Sequence, residues 1–362
     1  MVTVSMFLPL RILSPRLLVG AVGLLLPLLA VSGCVSAGEV SRVESSTLLR
    51  DGDGYFQRNA QDEALAAYLL AIKTAAEEGN ESIEAAGLCQ VALIYALQSD
   101  GPRAGKSLTL AAALAAPSDP GVWTRFLLAR GAFETASGHP QTALQTYEEL
   151  HEYGSSHELF DRASQAAHMA TLLTTGDDRV SWAKRGVDSA KASGRSSWRA
   201  SAWLALAWIY EDLGQHDKAL DAFAKARSFA DRTSSDDALL QADWALAHGF
   251  RMAGQPRRAR ELAQRTLARA TTAYMFSASE TTSGYPEYAI WVAQCQRELA
   301  ELDVEDEHFE DALERFSEAR RYFVLAGLEQ RAPASLALLD RRIGAVRSQM
   351  AATSAAAAQL TD

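Results

Sequence analysis

The stretch WLALAWIYEDLGQHDKALDAFAKA, Trp203 to Ala226, decides how the rest of the chain folds. Trp203, Leu206, Ala207 and Tyr210 recur at helical spacing and fall on one face of a first helix. Gly214 supplies a turn, because it takes positive φ without steric cost. Ala219, Phe223 and Ala226 then stripe a second helix, with small residues where a partner backbone must come close. Two amphipathic helices joined by a glycine turn form a unit that cannot bury its apolar faces alone. It therefore calls for neighbours of the same kind.

Such neighbours occur. Ala64, Ala104, Ala143, Ser181, Ala219, Ala259 and Ala312 each open a second helix, at a spacing of 38 to 40 residues until the last gap of 53. The fourth member is degenerate, and its register fits Ser181 or, two residues on, Ala183. The prolines give an independent check. Pro102, Pro140 and Pro256 fall in turns within repeats, Pro117, Pro120 and Pro286 fall between repeats, and Pro333 opens a last helix. None falls in a predicted helix interior, where it would cost about 3 kcal/mol. The long final gap places extra residues at 271–288, either a packed loop with partial helix or an exposed insertion.

With its large-x-x-Leu-small-x-x-Tyr run, its glycine and its Ala-x-x-x-Phe-x-x-Ala run, the 203–226 stretch resembles the tetratricopeptide repeat. The resemblance implies an all-α, right-handed superhelical solenoid of about seven helix–turn–helix repeats over residues 46–328. A capping helix at 329–350 would cover its last apolar face through Leu336, Leu339, Ile343, Val346 and Met350, ahead of a frayed Ala-rich tail at 351–362.

The N-terminus carries a different signal. A short apolar run from Leu17 to Val31 precedes Ser32-Gly33-Cys34, which resembles the lipobox of a bacterial lipoprotein signal peptide. The run is shorter than the roughly 20 residues of a spanning helix, and Pro27 interrupts it. The resemblance implies removal of residues 1–33, lipidation of Cys34, and a tether over 34–45 reaching only ~20 Å from the bilayer. Val35, where inner-membrane-retained lipoproteins have Asp, points to the periplasmic side of an outer membrane if the cell is Gram-negative. Removing Arg11 and Arg16 with the leader leaves 33 basic against 45 acidic residues, a net charge of −12. That balance argues against nucleic acid as a partner. Cys89 and Cys295 lie in the second and last repeats, on the order of 50 Å apart by the stacking of helices, too far to pair.

Chemistry is sparse. Asp51-Gly52-Asp53-Gly54 fails as a calcium loop, because Tyr55 and Phe56 stand where it needs an oxygen ligand and its turn glycine. His151 and His157 lack the i, i+4 spacing of a helical zinc site. No nucleophile elbow, phosphate loop or paired-cysteine motif occurs, so neither an enzyme nor a metal or cofactor is expected. A cell-wall hydrolase with an unrecognised site is the weakest alternative.

A binding surface is left. In the tetratricopeptide family the first helices line a concave groove. Carried over, the groove positions include Leu49, Asp53, Phe56, Cys89, Leu93, Leu128, Ala132, Leu204, Trp208, Glu211, Trp244, His248, Arg251, Arg297 and Glu301. Five of seven tryptophans fall between Trp182 and Trp244, which makes Trp208, Glu211, Trp244, His248 and Arg251 the best candidates. Trp203 is expected in the core; for Trp208 and Trp244, core and groove stay open. The expected role is an envelope scaffold that binds a protein or peptide during assembly of a secretin, pilus, outer-membrane protein or peptidoglycan machine. A ligand-responsive sensor of a peptide or glycan fragment is the alternative.

Overall fold

The computed structural model describes residues 44–58, 60–280 and 288–359. Residues 1–43, which carry the leader and Cys34, lie outside the described residues, as does Pro286. Among the described residues there are sixteen helices and no strand. Fourteen helices form seven hairpins. The first four are α1 (Ser45–Gln57) with α2 (Gln61–Glu78), α3 (Glu81–Leu97) with α4 (Gly101–Leu114), α5 (Pro120–Ala136) with α6 (Pro140–Ser156), and α7 (Phe160–Leu173) with α8 (Gly176–Ala192). The last three are α9 (Ser196–Asp212) with α10 (His216–Ala230), α11 (Asp236–Met252) with α12 (Pro256–Glu280), and α13 (Ala289–Glu305) with α14 (Phe309–Leu325). A short α15 (Leu328–Arg331) leads into α16 (Pro333–Gln359). The fold is an all-α helical repeat solenoid.

Local chemistry sets the helix starts. Pro120 and Pro140 stand at the first position of their helices and Pro102 at the second of α4, where a missing N–H costs nothing. Asn80, Asp100, Asp119 and Ser235 each accept a hydrogen bond from the backbone N–H three residues on. The turn inside a repeat takes one left-handed residue two positions before the second helix. Gly138, Gly214 and Gly254 fill that place, and so do Ser99 and Glu307 at φ near 60°.

The fourth repeat departs from this rule. Thr174 and Thr175 join α7 to α8 in extended conformation, so α8 enters differently and its buried small residue shifts. Ser181 is exposed and Ala183 is buried, which corrects the Ser181 alignment to Ala183. In the other six repeats the aligned alanine, the fourth residue of its helix, is fully buried.

One packing rule recurs in the first, third, fifth and seventh repeats. A small residue on the first helix faces a large ring sixteen residues later on the second, where the other repeats hold Leu108, Val187 and Ala263. The fully buried rings are Tyr68, Tyr147, Phe223 and Phe316. A Cβ added to Gly131 would lie 2.5 Å from the Tyr147 ring, and one on Gly52 would lie 2.6 Å from Tyr68. Glycine is tolerated mid-helix there because nothing larger fits. The core is not continuous. One cluster runs from Leu49 to Trp182 and another from Leu204 to Leu302, and between them sits a small one of Ala183, Val187, Leu206 and Ile209.

The long gap before the last repeat has a simple account: α12 continues through Thr271 to Glu280 rather than stopping at the usual length. Tyr274 packs edge-on against Tyr322 at 5.4 Å, while Met275 and Phe276 are exposed. Leu336, Leu339, Ile343 and Val346 of α16 bury against the Phe316 and Phe323 side of α14, as a cap should. The Ala-rich end continues α16 to Gln359, in keeping with alanine's helix propensity. No described helix is long and apolar enough to cross a membrane.

Candidate binding surface

Three consecutive first helices supply the candidate residues. α9 carries Trp208 and Glu211. α11 carries Trp244, His248 and Arg251 at i, i+4 and i+7, and α13 carries Trp291, Glu298 and Glu305 at intervals of seven. Each set therefore shares one helix face. The indoles follow one another, with ring centres 5.5 Å apart for Trp208 and Trp244 and 6.1 Å apart for Trp244 and Trp291. Phe223 meets Trp208 edge-on at 4.8 Å, and the Trp291 Nε1–H donates to Asp237.

Charged groups form a second row beside the rings. His216 Nδ1 lies 3.0 Å from Glu211 Oε2, and Glu211 Oε1 lies 3.6 Å from His248 Nε2. His248 Nδ1 lies 3.3 Å from Glu298 Oε2. Arg251 donates through Nε to Glu298 Oε1 at 2.5 Å and through a terminal nitrogen to Glu305 at 2.9 Å. Burial opposes charge on both Glu211 and Glu298. The His248 and His216 contacts outweigh it and hold Glu211 down at about 2, while His248 and Arg251 hold Glu298 well below the usual carboxylate range. Burial likewise opposes charge on His248, but Glu211 and Glu298 on either side raise it above the ordinary 6.5.

These shifts set a pH dependence. The His248 contribution to stability is complete below pH 6.5 and is lost as pH rises through its raised value; the Glu211 and Glu298 contributions are lost only as pH falls from about 4.5 towards 2. Denaturation midpoints from pH 6 to 9 are expected to fall on the alkaline side for the native protein, and to stay flat in His248→Gln beyond any slope common to both proteins.

The structure thus brings all five candidates together, but not as an open aromatic patch. Trp208, Trp244, Glu211 and His248 are buried, and only 14 % of the Arg251 side chain is exposed. Trp203, expected in the core, is half-buried, with the ammonium of Lys225 4.5 Å above its ring. Of the other groove positions, Leu49, Phe56, Cys89, Leu93, Leu128, Ala132 and Leu204 are buried. Arg297 stands over Trp244, and Glu301 is taken by Arg342 of the cap at 2.6 Å. Asp53 is clamped by both terminal nitrogens of Arg125 and also accepts from Tyr68 and Gln90. Burial opposes its charge, and Arg125 overrides this to lower its titration.

Glu298, Glu305 and Trp291 escaped the sequence reading. α9, α11 and α13 start 40 and 53 residues apart, the same spacing as Ala219, Ala259 and Ala312, so Arg297 stands in the place of Leu204 and Trp244. Glu298, Glu305 and Trp291 fall outside the positions that the family register gives to the groove. Cys89 and Cys295 are buried and free, and burial pushes the Cys89 thiol up to about 12. His151 packs edge-on to Trp182 at 5.8 Å, and His157 stacks on Tyr153 at 4.0 Å. Among the described residues no three His, Cys, Asp or Glu side chains are placed to hold a metal.

Residues 191–272 match the family model for the tetratricopeptide repeat. The chain is similar in structure to a signal transduction ATPase with numerous domains, carrying a tetratricopeptide repeat sensor, from Pyrococcus horikoshii. The TM-score is 0.56 at 13% identity, over 83% of this chain and 44% of that one. This chain therefore spans less than half the length of that protein, and at this identity the likeness speaks for the fold alone. Looser similarity exists to apo RapI (TM-score 0.46, 13% identity, 79% of this chain and 74% of that one). It exists also to a tetratricopeptide repeat protein from Parabacteroides merdae (0.41, 18%, 78% and 98%). No curated protein matches the chain in sequence.

Proposed function

We propose that this chain is a protein-binding scaffold of the cell envelope, held to the membrane by lipid on Cys34 and turning over no substrate. The observation that supports it most is the repeat architecture itself. Seven hairpins in series present extended surfaces, and the paired charges of α9, α11 and α13 stiffen one of them without leaving a free nucleophile and base together. On this proposal Trp208, Glu211, Trp244 and His248 act as the wall of the groove, and Arg251 with the exposed Glu305 forms its reachable rim. The partner is an envelope protein or peptide, engaged during assembly of an envelope machine.

A ligand-responsive sensor is the alternative, favoured by one observation. His248 joins carboxylates on both neighbouring repeats, so a ligand drawing Arg251 or His248 away would alter how three repeats pack.

Affinity capture from envelope extract with the full-length protein is expected to yield one stoichiometric partner, reduced by Arg251→Glu. A small molecule retained in native mass spectrometry, with no protein partner, would favour the sensor instead. Cys34→Ser is expected to move the protein from the membrane to the soluble fraction; retention on membranes would remove the lipid anchor from the proposal.

A further inference from the structure

Away from the inner ladder, two clefts open between successive second helices, and they are copies of one another forty residues apart. The first, of about 470 Å³, lies between α8 and α10 with α9 as its floor; the second, of about 510 Å³, lies between α10 and α12 over α11. Their floors correspond, Leu206 and Tyr210 to Leu246 and Phe250. Their walls correspond too, Lys218 and Lys225 to Arg258 and Arg265. The contacts repeat as well as the residues. The Lys218 ammonium stands 5.7 Å from the Tyr210 ring, and the Arg258 guanidinium 4.0 Å from Phe250.

The cations at these positions are available. In the second cleft, buried Asp243 holds Arg227 and Arg269 at 3.0 and 2.8 Å. Arg258 bonds only to Gln255, and Arg265 only to the Glu261 carbonyl; among the described residues neither has a carboxylate within ion-pair distance. In the first cleft Lys225 meets Asp221 at 2.6 Å, but both are well exposed, and water screens such a pair so that it holds its partners weakly. The pair of cations is confined to these two repeats. The second repeat keeps one half of the pattern, Arg103 at 4.4 Å over Tyr95, but has Leu110 at the place of Lys225. At the places of Lys218 and Lys225 the first repeat has Glu63 and Leu70, the third Thr142 and Glu149, the fourth Trp182 and Ser189, and the seventh Asp311 and Glu318. A basic, aromatic-floored pair of clefts in a chain of net charge −10 is a local departure from its surroundings.

We infer that repeats five and six bind one acidic peptide segment on their second-helix face, with carboxylates on Lys225 and Arg265 and an apolar side chain seated on each floor. Spaced carboxylates suit this surface better than a dense polyanion, because Asp188, Asp217 and Asp221 in the first cleft and Glu261 in the second stand among the cations and would repel one. The leucine at each floor asks for an apolar group between the charges. This surface is separate from the inner ladder, so the clefts can fail while the scaffold proposal stands.

The test uses the full-length protein in detergent and a fluorescent peptide with glutamates flanking leucine and phenylalanine, read by anisotropy. Binding is expected to weaken about tenfold or more in Lys225→Glu with Arg265→Glu, to weaken with added salt, and to be lost with the glutamine version of the peptide. Lys73→Glu, on α2, is expected to change nothing. Both substituted positions are exposed, and if the reversed pair fails to fold, Lys225→Gln with Arg265→Gln makes the same test. Equal binding of the glutamine peptide, or indifference to both double variants, overturns the inference. So does tight binding of phosphatidylglycerol vesicles that the same variants abolish while peptide binding stays weak, since that assigns the clefts to a membrane surface.

Discussion

Replacing Glu298 by Gln is expected to cost about 3–5 kcal/mol, read as a lowered urea midpoint. The carboxylate is almost fully buried and takes charge from two sides, Arg251 at 2.5 Å and His248 at 3.3 Å. Its desolvation has already been met by those partners. Removing the charge leaves a guanidinium and an imidazolium facing an amide with little water to replace what was lost. Glu305 is the control, because it contacts the same Arg251 but its side chain is 46% exposed. Glu305→Gln is expected to change stability by roughly 0–1 kcal/mol. Equal effects of the two substitutions would mean the ladder gains nothing from burial.

Phe223→Ala is expected to cost about 3–5 kcal/mol, by lost transfer energy and the cavity left behind. The ring is fully buried, lies edge-on to Trp208 at 4.8 Å, and presses where a Cβ on Gly249 would sit, 2.7 Å away. One side chain thus fixes its own repeat and the approach of the next. Hydrogen exchange should show lost protection in α9, α10 and α11 together. Loss confined to α10 would contradict that coupling. Phe229, half-buried on the same helix under Arg199 and Arg232, is expected to tolerate alanine far better.

The scaffold was legible in the sequence because it rests on short-range rules. Small residues at one period, prolines kept out of helix interiors and glycines at turns each act within a few residues of their own position. All six aligned alanines are fully buried, and the seventh aligned residue, Ser181, fails where Thr174 and Thr175 replace the usual turn. The site was legible only as a set of names. Trp208, Glu211, Trp244, His248 and Arg251 do meet, but helical spacing carries no information about how closely adjacent first helices approach. That distance decides whether an indole faces solvent or another indole. The carboxylates that complete the ladder, Glu298 and Glu305, come from positions of α13 that the family register does not assign to the groove. The outer clefts escaped for a related reason. Lys218 and Arg258 read singly as solvated charges, and only the packed helices place each of them over a ring.

The interrupted core gives the molecule a mechanical grain. Energy in a linear array passes only between neighbours, and here the joint of α8 with α9 is a cluster of its own, Ala183, Val187, Leu206 and Ile209 with Trp203 and Tyr210 packed against them, between two larger ones. Pulling or prying at one end would be absorbed on that side of the joint before the other side felt it. The joint between the fourth and fifth repeats thus divides the array into two levers. The Asp53–Arg125 clamp lies on one lever, and the tryptophan ladder with both basic clefts on the other.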